Sequence, residues 1–315
     1  MIDRYGISRR EALALSGATF FAASTPNFAA LAQAAGAVMR RPIPVSGETL
    51  PVIGIGTALI FEFPADDKAK ATMAERAAVL RELVKGGGSL VDTAYSYGAA
   101  EERLGILFEE TGLRDRLFVA TKARVDNVAG TIASFERSLK LMRTNRVELM
   151  QLHNPKDEKQ DLAPYREFKQ QGRAKYIGFS SSFDRDYGPV EAMLKREKPD
   201  FFQIDYSMVD RNSEERLIPA ARDTGAAVLT NLPFGRGRFF QKVRGKPLPE
   251  WATKELGVTS WAQYSLKWAL GHPGVTAVIP GTDKPEFMID NLKAGAGAMP
   301  DAAMRKKMVE YFDAL

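Results

Sequence analysis

Eight short apolar runs, separated by longer segments of helical periodicity, constrain this chain more than any other feature. The runs fall at 52–57, 89–92, 117–121, 147–152, 175–179, 201–204, 226–230 and 275–279. Between them, apolar residues recur at i, i+3, i+4 and i+7, the spacing that gathers them on one helix face. Ala77, Leu80 and Val84 do so ahead of a Gly86-Gly87-Gly88 stop, and Ile132, Phe135, Leu139 and Met142 do so again. Strands that alternate with helices predict parallel βα units, and eight units predict an α/β fold closed as a (β/α)8 TIM barrel. The rival is an open doubly wound sheet, which usually carries a glycine-rich phosphate turn after its first strand. Gly54-Ile55-Gly56-Thr57 has no third glycine and no helix immediately after it, so it does not make that turn. Upstream, residues 43–52 read as a β-hairpin turning at Ser46-Gly47-Glu48 and closing the barrel bottom. The longest irregular stretch, 233 to about 256, holds Gly235, Gly237, Gly245, Pro247, Pro249 and Trp251. It follows the seventh strand, on the barrel's active face, and reads as a lid or binding loop.

The 315 residues exceed the ~250 of a typical barrel, which leaves room for an N-terminal extension. That extension has its own layout. Arg9-Arg10 is followed by an apolar, alanine-rich run at 12–23 and then by Ala32-Gln33-Ala34, a small-residue cleavage pattern. The paired arginines resemble a twin-arginine (Tat) export signal, with Ala12 standing where such signals often carry Phe or Leu. The expected division is therefore a signal peptide at 1–34 and a barrel at 35–315, with the Tat machinery as partner of the precursor and a periplasmic or otherwise exported product. If the signal does not function, the expectation is a cytoplasmic protein. The apolar run is too short for a stable membrane span.

Composition narrows the chemistry. The chain has no cysteine and only two histidines, His153 and His272, so thiolate sites, cysteine nucleophiles and histidine-rich metal sites are excluded. His272 lies in a Gly-His-Pro-Gly turn and reads as structural. The formal charge is +5, but Lys and Arg are interleaved with Asp and Glu, with no basic stripe of the kind a nucleic-acid groove needs. Catalysis has to come from Tyr, Lys, Asp, Glu, Ser and a histidine.

Placed on the barrel frame, polar residues gather at strand ends. Asp92 ends the second strand, Lys122 the third and His153 the fourth; Ser180 and Ser181 follow the fifth, Gln203 lies near the end of the sixth, Asn231 follows the seventh, and Gly281 and Thr282 follow the eighth. In a barrel all these ends face one mouth, where barrel enzymes work. Taken singly, each has a structural reading: Asp92 and Lys122 as a buried ion pair, Tyr97 as part of a glycine-capped turn, His153 as a loop anchor. Together they suit carbonyl reduction, which needs a proton donor beside the oxygen that becomes an alkoxide. A tyrosine is the expected donor, Lys122 is expected to lower its pKa, Asp92 to hold Lys122, and His153 to orient the carbonyl. No metal is required.

Motifs in the family's order then carry a resemblance to the aldo-keto reductase family over roughly residues 43–295. Leu90-Val91-Asp92-Thr93-Ala94-Tyr95-Ser96-Tyr97-Gly98, with Glu101 and Leu104-Gly105 following, resembles the signature around the family's catalytic Asp and Tyr, and the resemblance implies that Tyr97, immediately before Gly98, takes the catalytic place and Tyr95 does not. Val119-Ala120-Thr121-Lys122 resembles the strand bearing its lysine, and Leu149-Met150-Gln151-Leu152-His153 the strand bearing its histidine. Lys175-Tyr176-Ile177-Gly178-Phe179-Ser180-Ser181 resembles the segment that holds the nicotinamide carboxamide, with Gln203 as the other carboxamide contact. Ile279-Pro280-Gly281-Thr282 through Asn291 is similar to the adenosine-phosphate segment.

The resemblance implies reduction of an aldehyde or ketone by NADP(H) in preference to NAD(H), bound at the barrel mouth. Expected cofactor contacts are Gly56, Thr57, Ser180, Ser181, Gln203, Asn231, Pro233, Gly235, Arg236, Gly281, Thr282, Lys284 and Asn291, with Arg238 beside Arg236 as a further candidate for the pyrophosphate. Phe61 and Trp251 are candidate substrate-pocket walls. Two positions depart from the pattern. Asn231 stands where a tyrosine often stacks on the nicotinamide, and Phe287 stands where NADPH-preferring members often carry an arginine, leaving Lys284 to meet a 2′-phosphate. These departures keep open a second class, a nucleotide-binding regulatory or redox-sensor protein with little turnover.

Overall fold

The computed structural model describes residues 37–63, 69–123, 127–155, 160–182 and 187–315. The signal expected at 1–34 lies outside them. The described chain begins with an antiparallel hairpin, β1 (Arg40–Pro42) and β2 (Thr49–Pro51), with Arg40 opposite Pro51 and Pro42 opposite Thr49. The first strand thus precedes the expected start at Ile43. Ile43 instead opens the turn: its N–H donates to Glu48 O at 2.7 Å, and its carbonyl accepts from Gly47 N at 2.9 Å. This frees the Ile43 side chain to point, with Leu50, into the barrel's lower interior.

The alternation then runs β3 (Ile55–Gly56), α1 (Ala69–Lys85), β4 (Leu90–Asp92), α2 (Ala100–Thr111), β5 (Phe118–Ala123), α3 (Val128–Leu141), β6 (Val147–His153), α4 (Ala163–Gln170), β7 (Ala174–Ser181), α5 (Tyr187–Glu197), β8 (Phe201–Asp205), α6 (Leu217–Asp223) and β9 (Ala227–Asn231). After β9 come α7 (Arg238–Val243), α8 (Glu250–Leu256), α9 (Trp261–Leu270), β10 (Ala277–Val278), α10 (Pro285–Ala294) and α11 (Ala302–Asp313). The strands β3 to β10 pair in parallel, in chain order, as one eight-stranded sheet. Parallel bridges Ile53–Val278 and Gly56–Gly281, with Gly54 N donating to Val278 O at 2.9 Å, join its first and last strands. The result is the expected (β/α)8 barrel.

Residue alternation along each strand builds two cores. Leu90, Ala120, Leu149, Tyr176, Phe201, Leu229 and Ile279 fill the lower interior, and the hairpin seals it from below. Ser46 Oγ lies 2.8 Å from Tyr176 Oη, and Lys175 meets Glu48 at 2.6 Å across that seal. Intervening residues such as Val91, Val119, Met150, Phe179, Phe202 and Val228 face outward and pack on the helix layer. Each large side chain so buried contributes about 1.5–3 kcal/mol, and this outer layer is the larger of the two apolar clusters.

The stretch from 233 to 256 is not an irregular loop. It contains α7 and α8, each burying one i, i+4 pair: Phe239 with Val243, and Ala252 with Leu256. Two buried residues per helix are too short a period to stand out among the surrounding Gly and Pro. No helix among the described residues is long and apolar enough to cross a membrane.

Candidate active site

The strand alternation that packs apolar residues inward at the barrel bottom turns polar ones inward at the top. Register sets Lys122 beside Gln151, His153 beside Ser180, Ser180 beside Gln203, and Asp205 beside Asn231. Asp92, two residues above Leu90, joins the same layer. The sequence-expected Asp92, Lys122 and His153 therefore converge, and the turn after β4 adds Tyr97. Tyr97 N donates to Ala94 O at 3.0 Å, and Gly98 follows with φ +50°, a left-handed conformation that suits glycine. A Cβ there would also strike the Glu62 side chain at 2.3–2.7 Å.

Lys122 is completely buried and donates to Asp92 Oδ2 at 2.6 Å, to Thr93 O at 2.9 Å and to Tyr97 Oη at 3.4 Å. Burial works against its ammonium, but Asp92 and Tyr97 outweigh that and hold the lysine above its ordinary value. Burial likewise pushes the Asp92 carboxyl upward, against the pull of Lys122 and Gln203. For Tyr97 the expectation reverses. Burial is the larger influence and raises the phenol above its usual value of about 10; Lys122 pulls it down, while Asp92 and Asp205 push it up. Desolvation thus outweighs the nearby ammonium, and Tyr97 stays protonated through the neutral range.

His153 stands edge-on to two tyrosine rings, 5.9 Å from Tyr97 and 6.0 Å from Tyr95. Its Nδ1 lies 3.4 Å from Ser96 Oγ. Gln203 belongs to a chain the sequence reading missed. Gln151 Nε2 donates to Gln203 Oε1 at 2.8 Å, and Gln203 Nε2 reaches Asp92 Oδ2 at 3.4 Å. Its amide is thereby aimed at Asp92. The clue was available: Gln151 precedes His153 by two, so strand alternation gives both the same face.

The expected cofactor contacts line the rim around this set. Gly56 bridges Gly281 between the first and last strands. The Oγ atoms of Thr57 and Ser180 are buried without a hydrogen-bond partner, and Ser181 continues the strand from Ser180. Asn231 Nδ2 donates to Ser182 Oγ at 3.2 Å and to Asp205 Oδ1. Pro233 is buried, and its carbonyl accepts from Ser265 Oγ at 3.0 Å. Gly235, Arg236 and Arg238 border a cavity of about 120 Å³, together with Ser182, Asp205 and Leu232. Leu232 (φ 50°) and Arg236 (φ 56°) take left-handed backbone there, a strain found where loops hold ligands. Further round, Asn291 Nδ2 donates to Thr282 Oγ1 at 3.0 Å, and Lys284 lies exposed with its Nζ 5.9 Å from the Phe287 ring centroid. Arg76, which the sequence reading did not single out, ties two rim loops together by donating to Ile60 O at 3.0 Å and to Asp283 O.

The two substrate-wall candidates lie elsewhere. Phe61 is 0% exposed and packs in the outer core. Trp251 sits on α8, against Tyr264 and Tyr311, with Lys307 Nζ 4.1 Å over its ring. The bulk that suggested a pocket wall serves packing in both cases.

Comparisons with known proteins agree with this geometry. The model of the Aldo/keto reductase family matches residues 52–307. The chain is 25% identical over 253 residues to the aldo-keto reductase YhdN of Bacillus subtilis (strain 168), covering 65% of this chain and 74% of that protein. It is 26% identical over 251 residues to the methylglyoxal reductase YeaE of Escherichia coli (strain K12), covering 76% and 84%. Among solved structures, an aldo/keto reductase from Klebsiella pneumoniae in complex with NADP and acetate superposes with a TM-score of 0.71 at 23% identity, covering 84% of this chain and 93% of that one. With the family model spanning most of the chain, this protein belongs to the aldo/keto reductase family of NAD(P)-dependent oxidoreductases.

Proposed function

We propose that the protein reduces an aldehyde or ketone to an alcohol, with Tyr97 as general acid and NADPH as the preferred hydride donor. The observation that carries this reading is the Tyr97–Lys122–Asp92 chain, with Lys122 Nζ 3.4 Å from the phenol and 2.6 Å from the carboxylate. Two features suit a dinucleotide: the Thr57 and Ser180 hydroxyls are buried without a hydrogen-bond partner, and Arg236 and Arg238 border a cavity that suits its phosphates. Lys284 supplies an exposed point charge for a 2′-phosphate. When bound, the reduced nicotinamide supplies the hydride. Tyr97 Oη holds the proton that the carbonyl oxygen takes as charge develops on it, and His153 orients that oxygen by a hydrogen bond from its ring. Lys122 steadies the phenolate left behind, and Asp92 with Gln203 keeps Lys122 in register.

The test follows absorbance at 340 nm as the protein from about residue 35 meets NADPH or NADH and a reactive aldehyde. Tyr97→Phe is expected to lower the rate at least ~100-fold, since general acids commonly contribute 10²–10⁴. A variant as fast as the parent would remove Tyr97 from the reaction, and faster oxidation of NADH would reverse the cofactor preference.

We further propose that residues 1–34 direct Tat-dependent export, on the strength of Arg9-Arg10, the apolar run after them and the Ala32-Gln33-Ala34 pattern. Fused to a reporter in a bacterium with a Tat system, this segment is expected to deliver it to the periplasm, and Arg9→Lys with Arg10→Lys to stop delivery. Unchanged delivery by the double variant would count against the Tat route.

A further inference from the structure

The interleaving of acids and bases that marks the chain as a whole breaks once. Residues 224–249 contain no Asp or Glu but five cations: Arg236, Arg238, Lys242, Arg244 and Lys246. All five are exposed. Among the described residues none of them pairs with a carboxylate; Arg238 donates to Gly235 O and Lys242 to Asp313 O, each at 3.1 Å. The Asp313 carboxylate is taken by Arg211 at 3.0 Å, and Glu250, which ends the acid-free stretch, by Lys254 at 3.0 Å.

The five cations fall into two tiers. Arg236 and Arg238 border the cavity that suits the phosphates, but Asp205 and Asp210 border it too, so the formal charges of its lining cancel. The excess is carried by Lys242, Arg244 and Lys246, outside the lining. They are nevertheless held near it. Lys242 follows Arg238 on α7 at the i, i+4 spacing that shares one helix face. Arg244 caps that helix, and Lys246 N donates to Val243 O at 3.0 Å, which keeps the chain at the helix end. With a rise of about 1.5 Å per residue, the end of α7 lies roughly 8 Å from Arg238, about one Debye length at physiological salt.

A lining whose charges cancel grips phosphates by contact but pulls little on them from a distance. Three unpaired cations a Debye length away pull without contact. Charges of that kind act on association more than on dissociation. The pull grows with the charge of the ligand, and NADPH exceeds NADH by one phosphate monoester, about −1.5 to −2 at neutral pH. An advantage in association rate requires no arginine at Phe287.

We propose that Lys242, Arg244 and Lys246 form a capture strip for the phosphate-rich dinucleotide, which speeds its approach to the cavity without touching it and favours NADPH over NADH through the association rate. The inference rests on the reading that the cavity takes the phosphates of a nicotinamide dinucleotide.

The test is rapid mixing with NADPH and with NADH, read by nucleotide fluorescence, to obtain association and dissociation rates. It is run at about 20 mM and about 500 mM salt, where the Debye length is about 20 Å and about 4 Å. The parent is compared with a variant carrying Lys242→Gln, Arg244→Gln and Lys246→Gln together. Lys242 Nζ also lies 4.9 Å over the Phe312 ring, so a second variant with only Arg244→Gln and Lys246→Gln leaves that packing in place. At low salt the triple variant is expected to associate about tenfold more slowly with NADPH and about threefold with NADH, with dissociation changed less than about twofold. The double variant should fall between it and the parent, and all three should converge at high salt. Faster dissociation with unchanged association would make these residues direct contacts and overturn the strip. Rates equal to the parent's at low salt, or a difference that persists at high salt, would overturn it as well. Equal slowing of both nucleotides would overturn the selection between them. Failure of the parent to bind either nucleotide would overturn the dinucleotide reading and this inference with it.

Discussion

Lys122 has three N–H donors, and three acceptors meet them: Asp92 Oδ2, Thr93 O and Tyr97 Oη. With no donor to spare and no exposed surface, the ammonium has one orientation. The same completeness makes the pair costly to break. Lys122→Met would leave Asp92 buried without its cation, and loss of one partner of such a pair costs about 3–5 kcal/mol. Asp92→Asn combined with Lys122→Met should recover much of that loss, because no unpaired charge is left behind. Denaturant midpoints of the two variants check this, and a double variant no more stable than the single one would contradict it. The charged members of this set were legible in the sequence because a lone Asp, Lys and His at successive strand ends are rare enough to be noticed. Gln151 was not, since an uncommitted Gln near a strand end is ordinary. The sign of the Tyr97 shift was not legible either. It depends on how much water the fold removes from the phenol, and residue order carries no measure of that.

At the scale of elements, the barrel was legible because short apolar runs between period-3.6 segments leave few arrangements open. What stayed hidden were pieces whose pattern is shorter than their period. The helices α7 and α8 each bury only one i, i+4 pair. The strands β3 and β10, two residues each, fall within the expected runs 52–57 and 275–279. These short strands meet at the barrel seam, where bridges rather than ladders hold the loops above them. Arg76 of α1 compensates by bonding the carbonyls of Ile60 and Asp283, one from each of those loops. Arg76→Met should therefore free the two loops against each other. Since both lie on the rim and neither carries Tyr97, NADPH affinity is expected to fall several-fold while the single-turnover rate at saturating NADPH changes little. Binding titration and rapid mixing separate the two quantities, and an equal fall in both would place Arg76 in the chemistry instead.

The whole molecule is closed at the back by contacts made far apart in sequence. Arg41, ahead of the barrel, reaches the carbonyls of Leu270, His272 and Val275 at the end of α9. On α9 itself, Lys267 is 2% exposed and donates to Ala296 O at 2.6 Å and Ala298 O at 2.8 Å, tying the helix to the segment that leads into α11. Carbonyl dipoles solvate an ammonium less well than water or a carboxylate. Burial accordingly pulls Lys267 down to about 8, against about 10.4 for an unfolded lysine. Between these two values the unfolded chain binds more protons at this position than the folded one, so Lys267 makes global stability rise with pH there. Above about 10.4 both states are neutral and the burial of charge costs nothing; as pH falls through about 8 the folded state has to bury the ammonium and that benefit is lost. Lys267→Met removes this dependence while keeping an unbranched chain in the same space. The difference in unfolding midpoint, parent minus variant, should therefore grow in the parent's favour from pH 7.5 to pH 10, with other titrating groups cancelling in the subtraction. Parallel curves across that window would mean that the Lys267 ammonium is as well solvated folded as unfolded, and that its two carbonyl partners replace the water it gives up.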